Sequence, residues 1–322
     1  MTAVPLRDAP PQARRSLDCS LAPIVLFVYN RPVHAQQTVE ALMRNELAAE
    51  SDLIVFCDAA RNAAAEAKVQ QVRNFVRSIT GFKSVRIVER ATNLGLANSI
   101  IDGVTAICGE YGRVIVLEDD LVTAPSFLRY MNEALDLYSN DAVVGSIHGY
   151  RYPVDRPMPQ TFFLRGASCW GWATWSRAWR LFEPDGRKLL DQLQRRGLTG
   201  QFDLDGAIAY TRLLKYQIRG RTDSWAIRWH ASMFLAQHLQ LSPGNSLVRN
   251  IGFDGSGTHC YESDAFSTEV AAVPIIMSRI PLEECSAARA ALIRYYRSTK
   301  RSISARALDR LRRIVWSRWR AS

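Results

Sequence analysis

Residues 113–125 read RVIVLEDDLVTAP, and the reading of the fold turns on where that apolar run stops. Val114 to Leu117 is a β-branched run of the kind that fills a strand buried on both faces. It leads straight into Glu118, Asp119 and Asp120, three carboxylates that repel one another. Such a junction makes sense if the charge emerges at a sheet edge where a cation or ligand sits. An acidic turn capping the next helix is the plainer alternative.

The residues before it repeat the same grammar. PIVLFVY (23–29) reads as a buried strand ending at Asn30, Arg31 and Pro32, where the proline suits the first turn of a helix over 33–47. DLIVFCD (52–58) is a second strand ending at Asp58, followed by an Ala-rich helix to about Ile79. SVRIVER (84–90) is a third, shorter strand, and 93–112 reads as a loop and helix with Leu96, Ile100, Val104 and Ile107 on one face. Strands alternating with helices imply a Rossmann-like, mostly parallel α/β sheet. Ligands bind such sheets beyond the carboxyl ends of the strands. Asn30, Asp58 and the 118–120 triplet all fall at such ends.

Composition narrows the classes. The net charge of +10 resides entirely in residues 286–322, which hold eleven Lys and Arg against Asp309, so residues 1–285 are neutral. A neutral body without a reading motif argues against nucleic acid as a partner. The six cysteines are scattered without metal-ligand spacing, which suggests a reducing, cytoplasmic setting. Residues 1–20 carry prolines and charges but no apolar core, and read as a disordered lead-in rather than a signal peptide. No apolar stretch is long enough to span a bilayer.

Adjacent carboxylates at a strand end suit Mn²⁺ or Mg²⁺, held by one or two acids with water and phosphate oxygens completing the shell. Neither GxGxxG nor GxxxxGK[ST] is present, which disfavours a dehydrogenase or a P-loop enzyme.

In order along the chain stand PIVLFVYNRP (23–32), VFCDAARN (55–62), NLGLANSIIDGV (93–104), VIVLEDDLVTAPSFLRYM (114–131), CWGWATWSRAW (169–179) and NIGFDGSGTH (250–259). With these the chain resembles GT-A-fold glycosyltransferases of the family 2 type over about residues 22–262, and its acidic stretch is also similar to that of N-acetylglucosaminyltransferase I. The resemblance implies a GT-A domain over 21–285, with a nucleotide-sugar half to about 125 and an acceptor half after it. It implies a nucleotide-diphosphate sugar donor contacted by Asn30, Arg31, Asp58, Asn93, Glu118 and Asp119, with Asp58 at the base or ribose. Asp120 is the expected direct ligand of Mn²⁺ or Mg²⁺, although EDD departs from a strict DxD. His259 is expected at the diphosphate or the metal; a loop histidine satisfied by its neighbours is the alternative.

In the second half, Trp170, Trp172, Trp175 and Trp179 lie within ten residues, and at least two of them read as core anchors. Gly171 implies a tight loop, and Trp170, Gly171 and Trp172 are the candidates for stacking on an acceptor sugar. Asp223 precedes a helical stretch and is the candidate general base of an inverting transfer to a glycan or lipid-linked hydroxyl. An N-cap role for Asp223, or for Ser224, is the alternative, and Asp203, Asp205 and Asp254 are rival bases. The resemblance further implies a hexosyl- or N-acetylhexosaminyltransferase of bacterial surface glycan synthesis. A sugar-phosphate nucleotidyltransferase and a non-catalytic glycan-binding module are the competing readings. The tail, 286–322, reads as a basic amphipathic helix with Ile303, Ala307, Leu311, Val315 and Trp319 on one face. It suits an anionic membrane surface through residues 289–320, which would place the protein on the inner face of a membrane; packing on the domain is the alternative.

Overall fold

The computed structural model describes residues 20–255 and 264–299. The chain builds the expected mostly parallel sheet with flanking helices. The first strands are β1 (Ile24–Val28), β2 (Asp52–Cys57), β3 (Ser84–Glu89) and β4 (Arg113–Glu118). Helices α1 (Pro32–Met43), α2 (Ala63–Arg77) and α3 (Gly95–Tyr111) separate them. Pro32 opens α1, and the Asn62 side chain accepts a hydrogen bond from Ala65 N to cap α2.

After β4 come β5 (Leu121–Thr123), α4 (Phe127–Leu137), β6 (Val144–His148), β7 (Thr161–Arg165) and β8 (Trp172–Trp175). Four helices follow: α5 (Ser176–Trp179), α6 (Gly186–Arg195), α7 (Thr199–Phe202) and α8 (Tyr210–Ile218). Then follow α9 (Trp225–Leu235), β9 (Leu239–Pro243) and β10 (Val248–Asn250), and residues 286–299 form α10.

The eight-stranded sheet has the order β3-β2-β1-β4-β8-β6-β9-β7, and β5 pairs separately with β10. Only β8 and β7 run against the other six strands. The unbroken apolar runs are explained by burial on both faces. In β1, Ile24, Leu26 and Val28 enter the core layer shared with α1, α2 and α4, whereas Val25 and Phe27 enter the opposite layer with α3 and α9. In α3, Ile100, Val104 and Ile107 are buried as expected, but Leu96 at the first turn is exposed, because Ala97 takes the inward position there.

Two expectations for the C-terminal half change. CWGWATW is not only a loop: Trp172 starts strand β8, inserted antiparallel between β4 and β6. Within the tail, 286–299 is a helix packed on the domain, with Ala288, Ala291, Leu292, Ile293 and Tyr296 buried. The apolar face proposed from Ile303 to Trp319 and the lead-in over 1–19 lie outside the described residues. No helix among the described residues is long and apolar enough to cross a membrane.

Candidate active site

The carboxylate triplet stands at the C-terminal end of β4, as the apolar run predicts. Glu118 is the last strand residue, paired in register with Phe27, and Asp119 and Asp120 turn the chain into β5. Both aspartates are buried, 5% and 9% exposed. Their counter-charge is Arg31: its Nη2 donates to Asp119 Oδ1, and to Asp120 Oδ2 at 2.8 Å. Burial lowers the guanidinium's proton affinity, but the charges of Asp119 and Asp120 more than offset this, and its pKa is raised. Burial, together with mutual repulsion, pushes the Glu118 and Asp119 carboxyls up, and Arg31 opposes the rise in both.

Backbone holds this turn from two sides. Thr38 Oγ1, on α1, donates to the Asp119 carbonyl at 2.8 Å, and Ile251 N donates to the Asp120 carbonyl at 2.9 Å. The β5–β10 pairing carries the NIGFDG stretch onto the triplet, where a Cβ on Gly252 would lie 2.1 Å from Asp120 Oδ2. Glycine is needed there because any side chain would occupy the carboxylate's place. No motif in the sequence ties this stretch to Asp120. Thr38 and Tyr29, whose N–H faces Asp119 Oδ2 at 3.4 Å, carry no motif that would have singled them out.

Asp58 sits at the end of β2 on the same edge. Its carboxylate accepts from Ala59 N, Leu94 N and Gly95 N, each at 2.9 Å, and from Asn93 Nδ2 at 3.0 Å. Asp58 and Asn93 are thus brought together, and what they do here is fix the NLG turn at the start of α3. Asn30 is half-buried at the end of β1.

The four tryptophans divide. Trp172 has no exposed surface and packs against Trp179, Trp225 and Trp229, so no sugar ring can stack on it as it stands; the β8 strand holds it inside the core. Trp175 and Trp179 are buried as well, each with its indole N–H bonded, to the Leu135 carbonyl and to Thr105 Oγ1. Trp170 is half-buried and lies edge-on to Tyr150 and Phe253. Gly171 takes the tight turn between them at φ +62°, and a Cβ there would press on Val248 at 2.6 Å.

Asp223 precedes α9 with its side chain 60% exposed and paired to Arg228 at 3.0 Å. The cap is Ser224, whose hydroxyl accepts from Ile227 N at 3.3 Å. Trp225, two residues on, stacks on Trp172, which pairs in register with Val116 near the carboxylate end of β4. The rivals of Asp223 are engaged elsewhere: Asp203 accepts from Thr211 N, Asp205 pairs with Arg289, and Asp254 pairs with His34. His259 lies outside the described residues.

The profile of glycosyl transferase family 2 matches residues 24–202, more than half of the sequence. The chain belongs to glycosyl transferase family 2. This glycosyltransferase is also similar to two solved structures at low identity. One is mouse xyloside xylosyltransferase 1 in its apo form, 14% identical with TM-score 0.36, over 58% of this chain and 77% of that one. The other is the mannosyltransferase PcManGT from Pyrobaculum calidifontis in complex with GDP-Man and Mn2+, 12% identical with TM-score 0.30, over 55% of this chain and 48% of that one. Comparison with curated proteins gives no match.

Among the described residues, no three His, Cys, Asp or Glu side chains converge as a closed metal cage. The donor set nevertheless fits a divalent cation of the open kind, bound by one or two carboxylates. The buried Asp119 and Asp120 share one guanidinium, with Glu118 beside them, which leaves negative charge to be matched.

Proposed function

We propose that this glycosyltransferase moves a sugar from a nucleotide-diphosphate donor to an acceptor hydroxyl with inversion. The observation that carries the reading is the triplet at the β4 edge, whose charge Arg31 offsets only in part. Asp120 and Asp119 would hold Mn²⁺ or Mg²⁺, with His259 a further candidate, and the bound cation supplies charge neutralisation for the departing diphosphate. Arg31 is placed to turn from the carboxylates toward donor phosphate oxygens. Asp58 and Asn93 shape the pocket for base and ribose, and Asn30 borders it.

On the acceptor side, Asp223 takes the hydroxyl proton as the oxygen attacks the anomeric carbon. A single displacement of this kind inverts the centre. Trp170 is the tryptophan whose position suits sugar stacking. A hexosyl or N-acetylhexosaminyl donor, a glycan or lipid-linked acceptor and bacterial surface glycan synthesis are the setting the resemblance supports.

Asp120→Asn tests the donor site. The variant should melt within a few degrees of the parent, yet bind UDP and GDP with Mn²⁺ at least about tenfold more weakly by calorimetry. Equal metal-dependent affinity in the two proteins would remove Asp120 from the site.

A further inference from the structure

A cavity of about 430 Å³ lies between the β6–β9–β7 end of the sheet and helices α8, α9 and α10. Nothing in the donor chemistry uses it. Its size falls within the range of small-molecule sites, about 300–1,000 Å³.

The floor of this cavity breaks the pattern of the sheet. One row of residues crosses the strands from Val116 through Trp172 to His148, and the next from Val114 through Thr174 and Ser146 to Gln240. On β4 this face is apolar, as a core demands. At β6 and β9 it becomes Ser146, His148, Gln240 and Ser242, all 3% exposed or less. Buried polar groups are normally partnered. Gln240 and Ser242 are, with Gln240 Nε2 donating to Ser242 Oγ at 2.9 Å. His148 lines the cavity and its Nε2 has no hydrogen-bond partner; Ser146 Oγ, two residues back on the same strand face, has none either.

The walls specify the ligand further. Phe202, Tyr210 and Phe234 present aromatic rings, which suit the C–H face of a sugar. The charges of the lining are nearly balanced: Arg289 binds Asp205 through two hydrogen bonds at 2.9 and 3.0 Å and lies 3.9 Å from Glu284, Arg151 donates to the carbonyls of Val154 and Arg156, and the Arg165 guanidinium lies over the Phe234 ring. Burial keeps the imidazole of His148 neutral. The cavity therefore offers hydrogen-bonding groups to hydroxyls and aromatic faces to an apolar ring face.

Its position ties it to the transfer edge. Tyr150 lines the cavity and packs on Trp170 at 4.7 Å, Trp170 packs on Phe253 at 5.5 Å, and Ile251 bonds the Asp120 carbonyl. We propose that the cavity binds an uncharged hydroxylated ring, a sugar residue of the acceptor, with His148 Nε2 hydrogen-bonded to one of its hydroxyls. This assignment rests on the glycosyl-transfer reading above.

Methyl glycosides of hexoses and N-acetylhexosamines, observed by saturation-transfer NMR on the full chain without nucleotide, test it. At least one should bind the parent. Ala288→Phe, which fills the cavity from α10, should weaken that binding by about tenfold or more. His148→Phe, which keeps a ring and removes the nitrogens, should weaken it in the same direction and serves if the first variant does not fold. Absence of any glycoside signal in the parent, or equal binding in a variant that melts like the parent, would overturn the assignment. Calorimetry with UDP and GDP on the same samples reads the donor edge separately. Nucleotide binding without glycoside binding defeats the cavity alone, whereas glycoside binding without nucleotide binding supports the cavity and defeats the donor reading.

Discussion

Arg31 is the side chain on which the donor edge balances. It neutralises part of the charge of Asp119 and Asp120, and a guanidinium placed so competes with any cation for the same oxygens. Arg31→Gln should destabilise the metal-free protein by about 3 kcal/mol, since it leaves buried carboxylates without their partner. Added Mn²⁺ should then raise the melting temperature more in the variant than in the parent; an unchanged increment would mean that Arg31 and the cation do not share a site. On the acceptor side, the observed cap Ser224 and the proposed base Asp223 are neighbours in sequence. Ser224→Ala should cost about 1 kcal/mol of stability and leave kcat nearly intact. Asp223→Asn should lower kcat by about a hundredfold with little change in donor affinity, and it should fold, because the lost carboxylate is 60% exposed and buried Arg228 keeps its bonds to the Ser224 and Pro184 carbonyls. A fully active Asp223→Asn protein would return the base to one of the rivals.

Strand β6 carries a pH dependence of its own. Burial holds the His148 imidazole down to about 3, whereas the unfolded chain takes up that proton near pH 6.5. Between those values the unfolded state binds the extra proton, so stability is fully present above about 6.5 and falls as the pH is lowered. His230, held to about 4 by burial, acts in the same direction. The free energy of urea unfolding should drop by about 2 kcal/mol less in His148→Gln than in the parent on going from pH 7 to pH 5. Parallel losses in the two proteins would show that His148 is already protonated, or solvated, in the folded state.

For the whole molecule, the question is where the body ends and the basic tail begins. The packing of α10 carries the body past the expected boundary before Ser286, at least as far as Tyr296. Removing residues 286–322 would expose the sites of Leu292, Ile293 and Tyr296, each worth roughly 1.5–3 kcal/mol of burial, and should lower the melting temperature markedly. Removing only 300–322, which hold eight Lys and Arg against Asp309, should leave melting and donor hydrolysis unchanged. It should abolish sedimentation with anionic vesicles, because each basic residue near such a surface contributes about 1 kcal/mol. Vesicle binding that survives this shorter truncation would move the membrane contact onto the body.

The first four strands, their order of appearance and the acidic edge were legible in the chain itself. β1, β2 and β4 lie buried on both faces, so apolar runs announced them without help from periodicity. Charge could interrupt such a run only at an edge, which placed the 118–120 triplet correctly. Other features depended on partners distant in sequence. Arg31 meets Asp119 and Asp120 across nearly ninety residues, because β1 and β4 are neighbours in the sheet. Trp172 became core rather than a sugar platform because β8 inserts between β4 and β6, a long-range pairing that local spacing does not encode. The polar floor at Ser146, His148, Gln240 and Ser242 was invisible for the same reason. Each is an unremarkable residue in its own strand, and only sheet register gathers them on one buried face.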